Sequence, residues 1–135
     1  MLQPRQSTPD QQLITARIIW AALTMSMIFY GVVLFVTGKV SRLEELSTVP
    51  TLFQYIAIMG NLIALGVYWF FKNKVVTEPV FERRFSFYIV CWAMSEAIVL
   101  LGFMAVFLTD DGNGFLYLTN LLVGLTSNIV CFPKK

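Results

Sequence analysis

Four long apolar runs, separated by short polar segments, decide what this chain can fold into. They cover residues 13–36, 50–71, 85–108 and 114–132. Each is close to the ~20 residues that cross ~30 Å of hydrocarbon at ~1.5 Å per residue. A backbone amide in lipid has no water to bond, so each run must pair its amides within itself, as a helix. Composition points the same way. Of 135 residues, 57% are hydrophobic and 13% charged, against about a quarter charged in an ordinary soluble domain. A soluble chain this short has too little interior to hide that surface, whereas a lipid bilayer solvates it. The expected fold is an all-α membrane protein, one domain of four transmembrane helices over residues 1–135.

The connections are polar and short. Residues 37–49 hold Lys39, Arg42, Glu44 and Glu45; residues 72–84 hold Lys72, Lys74, Glu78, Glu82, Arg83 and Arg84. Asp110, Asp111 and Gly112 mark a tight turn at 109–113, glycine supplying the positive φ such turns need. The polar stretch 1–12 lacks the apolar core of a secretory signal and is expected to be a cytosolic tail. Lys and Arg alone set the orientation. Arg5, Arg17, Lys72, Lys74, Arg83, Arg84, Lys134 and Lys135 fall on one side, Lys39 and Arg42 on the other. Both termini are therefore expected in the cytoplasm, the membrane being a bacterial inner (plasma) membrane. Tyr30 is expected near the outer headgroups, and Tyr68, Trp69 and Tyr88 at the inner interface.

Spans 1 and 3 resemble each other at an offset of 71 residues. Residues 18–36 read IIWAALTMSMIFYGVVLFV and residues 89–107 read IVCWAMSEAIVLLGFMAVF. Ala22 aligns with Ala93, Thr24 with Ser95, Met25 with Glu96 and Gly31 with Gly102. Gly60-Asn61-Leu62-Ile63 parallels Thr119-Asn120-Leu121-Leu122 more weakly. Apolar helices look alike by composition, but here small and polar positions match too, which favours two tandem hairpins in a parallel repeat.

Glu96 is the one acid well inside a span. An ionised carboxylate at the bilayer centre costs about 2.5 kcal/mol or more, so Glu96 should face protein or water. Counted from the cytosolic edge, it lies 11 residues beyond Phe85, about 16 Å deep. The same count places Asn61 and Asn120 at a similar depth. Amides donate to a carboxylate or orient a protonated one. Ser95 adds a hydroxyl, pointing about 100° away around the helix, so its own backbone competes for it. The expected ion site is Glu96, Ser95, Asn61 and Asn120, taking H⁺ or Na⁺. The alternative is interhelical glue, with Glu96 protonated and bonded across helices at about 1 kcal/mol or less per bond. Small-xxx-small pairs, Ala22/Ser26, Gly60/Ala64 and Ala93/Ala97, together with Gly124 in an Asn120–Asn128 stripe, are expected at helix contacts.

Residues 77–108 resemble the rotary ATPase (F/V-type) c subunits, the proteolipids. Thr77-Glu78-Pro79 and then WAMSEAIVLLGFMAVFL over 92–108 match a cytosolic proline loop and an outward helix of the form A-x-x-E-A-x-x-x-x-G-x-x-x-A. Ala93, Glu96, Ala97, Gly102 and Ala105 take those places. The resemblance implies that Glu96 binds H⁺ or Na⁺ with Asn61 as a polar helper. It also implies a duplicated four-helix member in which Met25 stands for a lost carboxylate.

Enzymatic chemistry is not expected: the chain has no histidine, no paired carboxylates at depth, no nucleotide loop and no nucleophile–base set. Cys91 and Cys131 form no CxxC, so no metal site is expected; they read as space-filling thiols. No cofactor beyond H⁺ or Na⁺ is expected. A net charge of +2 without a basic aromatic surface argues against nucleic acid. Two functions stand: an ion-binding or ion-translocating protein, or a non-catalytic accessory subunit of a larger membrane complex. Lipid and either further copies or other membrane subunits are the expected partners.

Overall fold

The computed structural model describes residues 8–39, 52–108 and 114–134. The expectations placed on 1–7, 40–51, 109–113 and Lys135, including the Asp110–Asp111 turn, lie outside the described residues. Four helices follow one another: α1 (Pro9–Val36), α2 (Leu52–Thr77), α3 (Phe81–Phe107) and α4 (Gly114–Val130). Among the described residues there is no strand.

Helix α1 starts on a capping box. Thr8 Oγ1 accepts from the Gln11 amide and Gln11 Oε1 accepts from the Thr8 amide, at 3.4 and 3.1 Å. Pro9 occupies the first turn, where its missing N–H costs nothing, and Asp10 faces the positive helix end. The other end closes on Gly38, at φ +70°. The Lys39 amide bonds Leu34 O and the Gly38 amide bonds Phe35 O, each at 3.1 Å. This satisfies two carbonyls that the helix leaves open, and it requires a left-handed residue.

The polar connection expected over 72–84 is mostly helix. Helix α2 runs on to Thr77 and α3 begins at Phe81. Hydropathy marks where a chain leaves lipid, not where its backbone stops winding, and Lys, Glu and Arg are good helix formers. Pro79 is the actual break, since it disfavours helix at the residue before it. Arg84 ties the corner, its Nε and one Nη donating to Glu78 O and Pro79 O at 3.1 and 3.2 Å.

Helix α3 is the axis of the bundle. It packs on α1, α2 and α4, and α1 also packs on α4. Of its apolar window 44% is buried, against 11% for α1. Its buried residues, Tyr88, Cys91, Trp92, Ser95, Ile98, Val99, Gly102, Ala105 and Val106, recur at three- and four-residue steps, the stripe a helix presents to its neighbours. The backbones of α1 and α2 do not approach each other closely; α3 lies against both.

Two apolar clusters fill the interior. One gathers Ala16, Tyr68, Val75, Tyr88, Cys91, Trp92 and Cys131; the other gathers Met27, Leu34, Val99, Val106 and Tyr117. Outside them lies a broad apolar coat, with Ile18, Met25, Phe29, Phe35, Ile63 and Leu122 all largely exposed. Helices α1, α2 and α3 are long and apolar enough to cross a membrane, while α4 is a shorter apolar helix of 17 residues. Tyr68 and Tyr88, expected at an interface, are buried in the first cluster, and Trp69 is exposed.

Candidate functional site

Three sets of polar groups in the interior bear on the expected site. The first contains Glu96. Ser26 Oγ donates to Glu96 Oε1 at 2.7 Å and Tyr30 Oη donates to the same oxygen at 3.1 Å. Ser26 and Tyr30 are one helical turn apart on α1, so both hydroxyls leave the same face. Glu96 is half-buried, and no cation contacts it among the described residues. Ser26 Oγ also lies 2.8 Å from Leu23 O. A hydroxyl has one proton, so it bonds either the carboxylate or the Leu23 carbonyl. When Ser26 turns to Leu23, its oxygen is free to accept a proton held by Glu96. One set of heavy-atom positions therefore suits both protonation states.

The second set joins α2 to α4. Asn61 Nδ2 donates to Asn120 Oδ1 at 2.9 Å. The pair makes only this one bond: Asn61 Oδ1 and Asn120 Nδ2 are buried without a protein partner. Asn120 packs on Gly102, where a methyl group would fall 2.4 Å from Nδ2.

The third set joins α1 to α4. Trp20 Nε1 donates to Asn128 O at 2.9 Å, and Asn128 Nδ2 donates to Thr24 Oγ1 at 2.7 Å. Thr24 in turn donates to Trp20 O at 2.8 Å, closing a loop of bonds whose direction is set by the threonine proton. Tyr117 Oη adds a further bond from α4 to Met27 O at 3.3 Å. Helix α1, with little buried apolar surface, is thus held by polar bonds at several levels.

The expected four-residue ion site is not one cluster. Glu96 bonds Ser26 and Tyr30, and the two amides bond each other. Gly102, against which Asn120 sits, is six residues beyond Glu96. That is about 9 Å along α3 and about 120° around it. The depth count failed because it took the ends of the apolar runs as one level, whereas Cys131 O at the end of α4 accepts from Trp92 Nε1, seven residues beyond Phe85. Ser95 is fully buried and donates to Cys91 O at 2.9 Å, its own preceding turn. Tyr30, expected near the outer headgroups, is a partner of Glu96. The legible signal for both missed partners was the Ser26/Tyr30 spacing, two hydroxyls on one face of α1.

The packing residues also divide. Gly124 is a tight contact, since a methyl there would lie 2.3 Å from Val99 and 2.8 Å from Ser95 O. Gly60 lies against Leu101, Ala64 is buried, and Ala97 is half-buried. Ala22 and Ala93 are exposed. The two cysteines are buried and free. Cys131 Sγ donates to Tyr68 Oη at 3.5 Å, and Tyr68 Oη donates to Ser127 O at 2.9 Å.

Fold and site together define a class: a small helical bundle with three helices of membrane-crossing length and one acid held between two of them. Compared with family models, curated proteins and solved structures, the chain gives no match.

Proposed function

We propose that this chain crosses the bilayer four times and carries a reversible H⁺ or Na⁺ site at Glu96. One observation supports the reading above others: a half-buried carboxyl faces two hydroxyls of a neighbouring helix, with no cationic partner among the described residues. At 17 residues, α4 reaches about 26 Å, close to the hydrocarbon thickness. Both termini then face the cytoplasm of a plasma membrane. Binding a proton neutralises Glu96 and lets it rest in apolar surroundings; loss of the proton requires water to reach it. Helix α1 is the natural moving part, because polar bonds rather than a large apolar face hold it to α3 and α4. The Ser26 hydroxyl adjusts to either state by turning between Glu96 and Leu23 O.

This working mode resembles that of the proteolipid c subunits, on residues 77–108. Helix α2 has only Gly60 and Gly66 where that family carries a dense glycine run, so a closed ring of that kind is not part of the proposal. The test is carbodiimide labelling, which modifies protonated carboxyls. Glu96 should label in liposomes, and raised pH or added sodium should suppress it. Proton- or sodium-dependent flux, if present, should vanish in Glu96→Gln while the helical signal persists. Labelling that ignores both pH and sodium, together with unchanged flux in Glu96→Gln, would reject the ion site.

A second reading is favoured by the exposed Ala22 and Ala93 on the outer faces of α1 and α3. Small residues open to lipid let another helix approach closely. In that case the chain is a non-catalytic subunit of a larger assembly, built with other membrane chains or further copies. Glu96 then stays protonated and serves to hold α1. Stoichiometric partners in mild detergent, with no labelling of Glu96, would select this reading.

A further inference from the structure

We infer that a phosphate-type anion binds at the end of the bundle where α2, α3 and the segment after α4 meet, well away from Glu96. A cavity of about 220 Å³ opens there. Three cations line it from three elements: Lys72 on α2, Arg84 on α3 and Lys134 beyond α4. No acidic side chain is among its lining residues; apart from Tyr88 and Cys131, the rest of the wall is valine and phenylalanine.

Among the described residues no acidic side chain pairs with these cations. The Arg84 guanidinium donates to the Glu78 and Pro79 carbonyls, which hold its plane without cancelling its charge. Lys72 Nζ lies over the exposed Trp69 ring at 5.3 Å. The nearest acids in the sequence do not line the cavity: Glu78 Oε1 accepts from the Val80 amide at 3.2 Å, and Glu82 is exposed and lines a different pocket. Like charges converging on one cavity repel one another, and an anion between them relieves that. A fixed guanidinium beside two ammonium groups suits phosphate oxygens. Basic pockets between membrane helices near a leaflet surface are known headgroup sites, and the apolar wall offers acyl chains a surface. The source is either an anionic phospholipid, which rests on the membrane reading above, or free phosphate, which does not.

The experiment is thermal unfolding of the full chain in neutral detergent, titrated separately with phosphatidylglycerol, phosphatidylcholine and inorganic phosphate. Phosphatidylglycerol should raise Tm and phosphatidylcholine should not. A rise with inorganic phosphate as well would identify the free anion as a sufficient ligand. Lys72→Gln with Lys134→Gln should weaken the apparent affinity about thirtyfold, and Lys134→Gln alone about fivefold. Lys134 is exposed beyond the last helix, so the single variant should leave folding intact. Lys74→Gln removes the same charge from the same helix outside the cavity and should leave the affinity unchanged. No rise with either anion, or an apparent affinity unchanged in the double variant, overturns the site. So does equal loss in Lys74→Gln.

Discussion

Helices α1 and α3 have similar sequences and sit in different surroundings, and the contrast shows what makes an acid at position 96 tolerable. Toward α4 the two helices do comparable things. The indoles of Trp20 and Trp92 donate to carbonyls near the end of α4, Asn128 O and Cys131 O, each at 2.9 Å. Thr24 and Ser95 each donate to the carbonyl four residues back. Gly31 and Gly102 each make room for an α4 side chain, Tyr117 and Asn120. The difference lies on the neighbouring face. At the aligned positions, Met25 is 65% exposed, while Glu96 meets the hydroxyls of α1. Helix α3 has a helix on that side, and among the described residues α1 has none. A carboxyl is sustainable where a neighbour supplies donors, and a thioether suits the position where only lipid is available.

Exchanging the two residues is the strongest way to break this contrast. Met25→Glu should destabilise the fold in lipid by about 2.5 kcal/mol or more, because the new carboxyl faces the apolar coat. Glu96→Met should cost about 1 kcal/mol, the loss of two hydroxyl bonds. Equilibrium unfolding in bicelles measures both. Equal costs would mean that the two faces share one environment.

The paired glycines come next. At Gly102 an added Cβ falls 2.4 Å from Asn120 Nδ2 and 2.7 Å from its Cβ. The second atom is fixed to the α4 backbone, so the helices must separate. Gly102→Ala should cost about 2 kcal/mol, and the Asn61–Asn120 bond should lengthen or break. At Gly31 the obstacle is Tyr117 Oη at 2.9 Å, the far end of a side chain that can tilt. The lost bond to Met27 O is partly offset by the better helix propensity of alanine, so Gly31→Ala should lie within about 0.5 kcal/mol of the parent. A large effect at Gly31 would show that the Tyr117 bond matters more than its 3.3 Å length suggests.

The same contrast explains how far the sequence could be read. Hydropathy marks four helices because apolar character is a property of composition, and composition is local. It misjudged residues 72–84, where the apolar runs end but the helices continue in polar residues on both sides of Pro79. Glu96 stood out as the only deep acid. Its partners did not, because partnership depends on which helix covers which face, and α1 and α3 show nearly the same pattern while differing in burial fourfold. Asn61 and Asn120 were readable as a pair through their shared motif, but depth counted from run ends placed them beside Glu96. The Ser26/Tyr30 spacing carried the missing information. It would have counted only with the knowledge that α1 turns that face to α3.

The smallest expected effect separates two hydroxyls that look equivalent. Ser95 is fully buried, yet its proton serves only Cys91 O within its own helix. Removing it costs little, since that carbonyl keeps its helical partner, and Ser95→Ala should change stability by less than about 0.5 kcal/mol. Thr24 makes the same backward bond and also accepts from Asn128 Nδ2. Asn128 is fully buried and its Oδ1 already lacks a protein partner. Thr24→Val would leave both ends of that amide unpaired, at a cost of about 1 kcal/mol. Asn128→Leu in the Thr24→Val background should then recover part of the loss, because an apolar pair leaves nothing unsatisfied. If Ser95→Ala costs as much as Thr24→Val, or if the second substitution recovers nothing, the Trp20–Thr24–Asn128 loop is not what holds α1 to α4.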